Sequence, residues 1–229
     1  MFLGMLTFHS ITASATITIK TCADLQNMQK NLTADYVLSN DIDCSISRTW
    51  NSGQGFLPIG AFTLDGSKDF KGTFNGQGHT ISDLYINNNT ATIEALFAST
   101  SIGSINNVNL KNFYFASDIG ASMGGLVGIA NNSGSGTFTI SNVSVQGVFI
   151  SLPNPKGTLT FEEDIGGIAQ TQKIGSTITQ SSSDVTIICL DNTNYVVGGI
   201  ISSNDGNVVN SYSTGQIAGA FHYAGGRRI

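Results

Sequence analysis

This chain has very little charge. Only 11% of its 229 residues are Asp, Glu, Lys or Arg, where soluble domains usually carry about 25%. The ten basic residues are scattered, and only Arg227 and Arg228 stand side by side. Phosphate neutralisation needs clustered Lys and Arg, so nucleic acid is excluded as a partner. Histidine and cysteine number three each, and no pair of them has zinc-ligand spacing, so neither a metal nor another cofactor is expected. No run approaches the ~20 apolar residues of a membrane-spanning helix. Disorder is also excluded: 40% of the residues are hydrophobic, with Ile, Val, Leu and Phe recurring throughout.

What is abundant is Ser, Thr, Asn and 27 glycines. The chain begins "MFLGMLTFHSITASATITIK". Phe2 to Phe8 has the form of an apolar export-signal core, and Ala13-Ser14-Ala15 that of a cleavage site. The basic start of such a signal is missing, so residues 1–15 read as a truncated signal peptide. An alternating strand then begins at Ile17 and Ile19. In "TCADLQNMQKNL", Thr21 and Asp24 form a capping-box pair, and Leu25, Met28 and Leu32 recur at helical spacing. A helix of about ten residues is expected there, within an N-terminal unit spanning 16–35. If the chain is exported, Cys22 and Cys44 can pair. Cys189 shares one face of an alternating run with Val185 and Ile187 and reads as a buried thiol.

From residue 36 to 229 the periodicity is two, broken every few residues by Gly, Asn or Ser, which signals an all-β architecture. Two motifs alternate along it. One is a glycine pair followed by apolar residues, at Gly124, Gly166, Gly198 and Gly225, with a degenerate copy at Glu94. The other places Asn107, Asn142 and Asn210 at equivalent positions before alternating segments, with Gln180 in the third copy. Irregular repeats of short strands suit a solenoid, in which each coil buries its apolar residues against its neighbours. The fold class is therefore a parallel β-helix. Small residues turn its corners, and amides at one site can bond along the stack. Some 20 to 25 residues per coil would give about eight coils and a rod near 40 Å. The N-terminal helix would cover one open end. "GGRRI" stops in mid-motif, which reads as a truncated part of a longer polypeptide.

The strings "LTADYVLSNDIDC", "FLPIG" and "FKGTFNGQGHTISDL", followed by Gly-Gly-apolar repeats, resemble the bacterial GLUG-repeat proteins. The resemblance covers Thr21 to Gly226. It implies a right-handed parallel β-helix and a secreted or cell-surface location. It also implies adhesin-like or scaffold roles, as in the non-catalytic repeats of immunoglobulin A peptidases. The peptidase zinc motif HExxH is not in the sequence. In such a fold the glycine-rich string around His79 is a coil corner, not an active site. It lacks the Gly-Lys-Ser/Thr of a phosphate loop, and no nucleophile or paired acid accompanies the His.

Other candidates read as follows. Asp41 and Asp43 could bind calcium or share acid–base work, but "NDID" precedes a turn, where Asp caps backbone N–H groups. "SLPNPKGTLTFEED" (151–164) is the largest interruption of the repeat. With Pro153, Pro155, Glu162, Glu163 and Asp164, it is the first place to look for a binding loop. The aromatics of Phe113-Tyr114-Phe115, Tyr195, Tyr212 and Tyr223 read first as packing. No catalytic residue is assigned. The expected function is non-enzymatic: an exported module recognising glycan or a host or matrix protein, or displaying other elements. The alternatives are a carbohydrate-active β-helix lyase or hydrolase, and a purely structural spacer.

Overall fold

The computed structural model describes residues 15–88, 90, 92–133, 136–153, 163–190 and 195–219. The proposed signal segment, Pro155, Glu162, Tyr223 and the last glycine pair lie outside them. All strand pairs in the four sheets are parallel, as a β-helix requires.

Each complete coil passes through four sheets in order. Sheet 1 has seven strands, including Thr73–Asn75, Gly103–Asn106, Phe138–Ser141 and Ser176–Thr179. Sheet 2 holds the longest strands, Asn109–Ser117, Ser144–Ser151 and Ser182–Cys189. Sheet 3 contains Ile93–Glu94, Ser122–Gly124, Glu163–Gly166 and Tyr195–Gly198. Sheet 4 contains Phe97–Ser99, Val127–Ala130, Ala169–Gln172 and Ile201–Asn204. Four complete coils lie between partial ones, about five turns in all.

This corrects the expectation of eight short coils. Stacked partners in sheet 1 run Phe74, Ile105, Ile140, Ile178 and Val208, so a coil takes 31, 35, 38 and 30 residues in turn. The cause is that the two sequence motifs share one coil: the Asn motif turns from sheet 1 into sheet 2, and the glycine pair turns from sheet 3 into sheet 4. At the strand spacing, five turns rise only about 24 Å.

The core is built by like stacking on like. Phe74, Ile105, Ile140 and Ile178 are fully buried in one column, and Ile86, Phe115, Phe149 and Ile187 in another. Phe113 packs against Phe149 with ring centroids 4.9 Å apart, and Phe70 against Phe97 at 5.0 Å. Burial of each such ring contributes roughly 2–3 kcal/mol. Cys189 is buried on the inward face, as the alternation predicts.

The glycine corners are steric. A Cβ on Gly166 would lie 1.8 Å from the carbonyl oxygen of Ala169. The early copy differs: Glu94 pairs with Met123 while Phe97 pairs with Val127. That corner is one residue shorter, so Glu94 is not the counterpart of Gly124.

The helix is Cys22–Asn27, extended by a 3-10 turn at Met28–Lys30, close to the expected length. Thr21 and Asp24 form the capping box. Leu25 and Met28 are fully buried in the continuous core. The Gln26 side chain bonds both the carbonyl and the N–H of Leu57, at 2.9 and 2.8 Å. Cys22 and Cys44 form a disulfide with Cα atoms 5.2 Å apart. The strand Ile17–Ile19 pairs with Tyr36–Leu38 and is the first strand of sheet 1.

Candidate functional site

The longest strands lie in sheet 2, and its outer face is the candidate surface. Alternation sends Ile42, Ile81, Leu110 and Val145 inward in one column, so their neighbours face out. One outward column is Ser82, Lys111, Gln146 and Asp184. In it Gln146 Nε2 donates to Asp184 Oδ2 at 3.3 Å. A second is Tyr85, Tyr114, Val148 and Thr186.

Tyr85 and Tyr114 come from successive coils, and their rings stack 5.6 Å apart and 11° from parallel. Over them lies Arg48, from the 3-10 turn Ser45–Thr49. Its guanidinium carbon is 4.8 Å from the Tyr85 ring centre and 5.6 Å from that of Tyr114. Ser47 Oγ accepts from the Tyr85 N–H at 3.0 Å and ties the turn to the strand. A cation over exposed rings gains about 0.5–1 kcal/mol. Sequence reading missed this cluster. Alternation along Phe113-Tyr114-Phe115 turns the middle ring outward, but its partners come from other coils and need the coil register to be found.

The corner between sheets 1 and 2 carries the amides. Asn107, Asn142, Gln180 and Asn210 all adopt left-handed φ, between 50° and 54°. Asn tolerates that conformation because its short side chain can bond locally. Asn107 Nδ2 donates to Asn75 Oδ1 at 3.2 Å, and Asn142 Nδ2 to Asn107 Oδ1 at 2.8 Å. At the expected site the ladder joins Asn107 and Asn142; below them it continues to Asn75, which pairs in register with Asn106.

Asp41 and Asp43 serve turns. Asp41 Oδ1 accepts from the Thr80 N–H at 2.9 Å and lies 3.2 Å from His79 Nδ1. These two contacts, the backbone one first, hold its carboxyl below the usual range. Asp43 accepts from the Ser45 N–H, which lowers it likewise. His79 thus bridges two coils at a corner.

Of the candidate binding loop, residues 154–162, with Pro155 and Glu162, lie outside the described residues. Pro153 is exposed, whereas Glu163 and Asp164 are strand residues of sheet 3. Glu163 is only 1% exposed, and Ser151 Oγ donates to its Oε2 at 2.7 Å. Tyr195, itself buried, donates to Ser151 at 2.9 Å. Asp164 accepts from Gln170 at 3.1 Å. Two of the three residues of the acidic run, Glu163 and Asp164, are therefore built into a strand of the solenoid. Glu94 is completely buried nearby and accepts from the Asn88 N–H at 3.1 Å. Burial pushes its carboxyl well above the ordinary value; the Asn88 bond opposes this, and the charges of Asp118 and Glu163 add to it.

Among the described residues, no three His, Cys, Asp or Glu side chains form a metal-holding group, and no helix is long and apolar enough to cross a membrane.

No family profile matches the chain. The chain is similar to halomucin from Haloquadratum walsbyi, with 36% identity over 173 residues. The match takes in 73% of this chain but only 2% of halomucin's length. Among solved structures, an IgA1 protease superposes with a TM-score of 0.51 at 18% identity, covering 86% of this chain and 14% of that one. A Bacteroides ovatus protein assigned as an immunoglobulin A1 protease gives 0.50 at 19% identity, covering 90% and 78%. At these identities the likeness is one of fold.

Proposed function

We propose that this chain is a non-enzymatic β-helix module of a longer exported protein. Its role would be recognition at or outside the cell surface by side chains on the outer coil faces. The observation that carries this reading is the outer face of sheet 2. A rigid, like-on-like core holds Arg48, Tyr85, Tyr114 and Lys111 in fixed positions toward solvent. The Cys22–Cys44 bridge supports an oxidising compartment, and so does the similarity to halomucin. The low charge also fits a display surface of hydroxyls and amides. On this reading the chain is a GLUG-type repeat segment, and its partners are glycans or host or matrix proteins. The loop joining sheets 2 and 3 after Ser151 adds variable contacts.

The enzyme alternative would need acids that reach a polymer. Glu94 and Glu163 are buried inside the coil, where a chain substrate does not reach. The surface acids Asp41 and Asp43 are engaged in turns.

The test is a glycan and matrix-protein array probed with three proteins. These are the wild-type chain, an Arg48→Ser/Tyr114→Ser variant, and a variant with residues 154–162 replaced by a short turn. Binding lost in either variant supports recognition and assigns its face. Equal silence of all three would leave a spacer, and depolymerisation of an arrayed glycan would restore the enzyme reading.

A further inference from the structure

The amide ladder stops where the groove begins. Asn75, Asn107 and Asn142 are linked side chain to side chain, but the next position holds Gln180. Its side chain is one methylene longer, and no hydrogen bond joins it to Asn142. Among the described residues, the side chains of Gln180 and Asn210 make no hydrogen bond, nor do those of Ser144 and Ser182. A shallow groove of about 280 Å³ opens along this broken stretch. One wall is the amide column of Asn142, Gln180 and Asn210. The other is the first outward column of sheet 2, in which Asn109, Ser144, Ser182 and Tyr212 stack in register. Val143 and Ser181, both buried, form the floor. Tyr212 is 63% exposed and stands at one end.

We infer that this groove is a binding site for an uncharged oligosaccharide. The site offers primary amides and hydroxyls, which donate and accept on the same group and so match sugar hydroxyls. It offers one exposed aromatic ring, whose face suits the C–H face of a pyranose. No Lys, Arg, Asp or Glu lines it, so neither an acidic nor a basic ligand gains charge there. Its polar groups repeat at the coil spacing of about 4.8 Å, close to the advance of one sugar unit along an extended chain. The groove therefore runs parallel to the solenoid axis and accommodates two or three units. A ligand of that size in a shallow site binds with a dissociation constant on the order of 0.1–1 mM.

This inference rests on the recognition reading above, but it uses different residues, at the edge of sheet 2 that borders the amide corner. Maltohexaose, cellohexaose, chitohexaose and hexagalacturonate are titrated separately into the isotope-labelled full chain, followed by backbone and side-chain amide shifts. At least one neutral hexasaccharide is expected to shift Gln180 and Asn210. Tyr212→Ala should weaken it tenfold or more. Gln180→Asn is the sharper test: it returns a short amide to the ladder, so it should leave the melting temperature unchanged or raised yet weaken sugar binding about fivefold. Binding unaffected by both variants would overturn the site, and preference for the polyuronate would overturn the ligand class. If no hexasaccharide binds, the inference fails. In that case, array binding that depends on Arg48 and Tyr114 would still leave the recognition function standing.

Discussion

Two glycines separate two reasons for the abundance of this residue, and their substitution gives the most direct test of how the coils are held. Gly166 does not require a left-handed backbone; its constraint is space. A Cβ there would meet the Ala169 carbonyl oxygen at 1.8 Å and carbon at 2.7 Å, and the Ser202 nitrogen at 3.0 Å. All three are backbone atoms, so no rotamer change relieves the overlap and the corner itself must shift. That shift strains the bonds from the Gly167 N–H to Gly198 and from the Ile168 N–H to Ile200. Overpacking of roughly 1–3 kcal/mol, with about 1 kcal/mol for each weakened bond, puts Gly166→Ala near 3–5 kcal/mol. Gly78 is the opposite case: its φ is +84°, and a Cβ there would meet nothing within 4 Å. Gly78→Ala should cost about 1–2 kcal/mol from the left-handed backbone alone, and Gly78→Asn less. Urea denaturation followed by circular dichroism should order the midpoints as wild type, Gly78→Asn, Gly78→Ala and Gly166→Ala. If Gly166→Ala is no less stable than Gly78→Ala, close approach between strands does not explain the glycine pairs.

Three further outcomes are expected. Replacing both Cys22 and Cys44 by Ser opens a loop of 22 residues and should cost about 3 kcal/mol; a reductant should lower the wild-type midpoint comparably and leave the variant's unchanged. Burial raises the Glu94 carboxyl in the folded state, so the folded chain holds this proton more tightly than the unfolded one. Stability should then fall as pH rises above the unfolded value near 4.5. Glu94→Gln should flatten that slope, with higher stability at pH 8 and none gained at pH 4 in thermal melts across pH. Asn107→Gly keeps the left-handed φ but removes two ladder bonds, whereas Asn107→Ala also adds backbone strain. Losses of about 1–2 and 2–4 kcal/mol, respectively, are expected in chemical denaturation.

The sequence carried the fold unevenly, for physical reasons. The Asn positions were visible because a left-handed corner filters residue type one position at a time. The glycine pairs were visible because a steric corner admits little else. The capping box was legible because it lies within four residues. Coil length was misjudged because four sheets, not two, lie between successive copies of one motif. The 42 residues separating Gly124 from Gly166 already implied a longer circuit than 25. The surface sites were the least legible. Arg48, Tyr85 and Tyr114 meet only after the register aligns three separate segments. Glu163 belongs by sequence to a loop with Glu162, yet it opens a strand in which every second residue faces inward. Gln180 in place of Asn is visible in the sequence, but its consequence for the amide column needs the stacked neighbours.

The unequal coils, of 31, 35, 38 and 30 residues, differ chiefly in two arcs, the one from sheet 2 to sheet 3 and the one from sheet 4 back to sheet 1. Parallel pairing fixes how far along the axis each arc emerges, while its length sets only how far it projects sideways. Height and reach are thus independent coordinates. A segment can lengthen, shorten or be exchanged at one level without shifting the level above, so the solenoid works as an indexed rack on which contact elements diversify one shelf at a time.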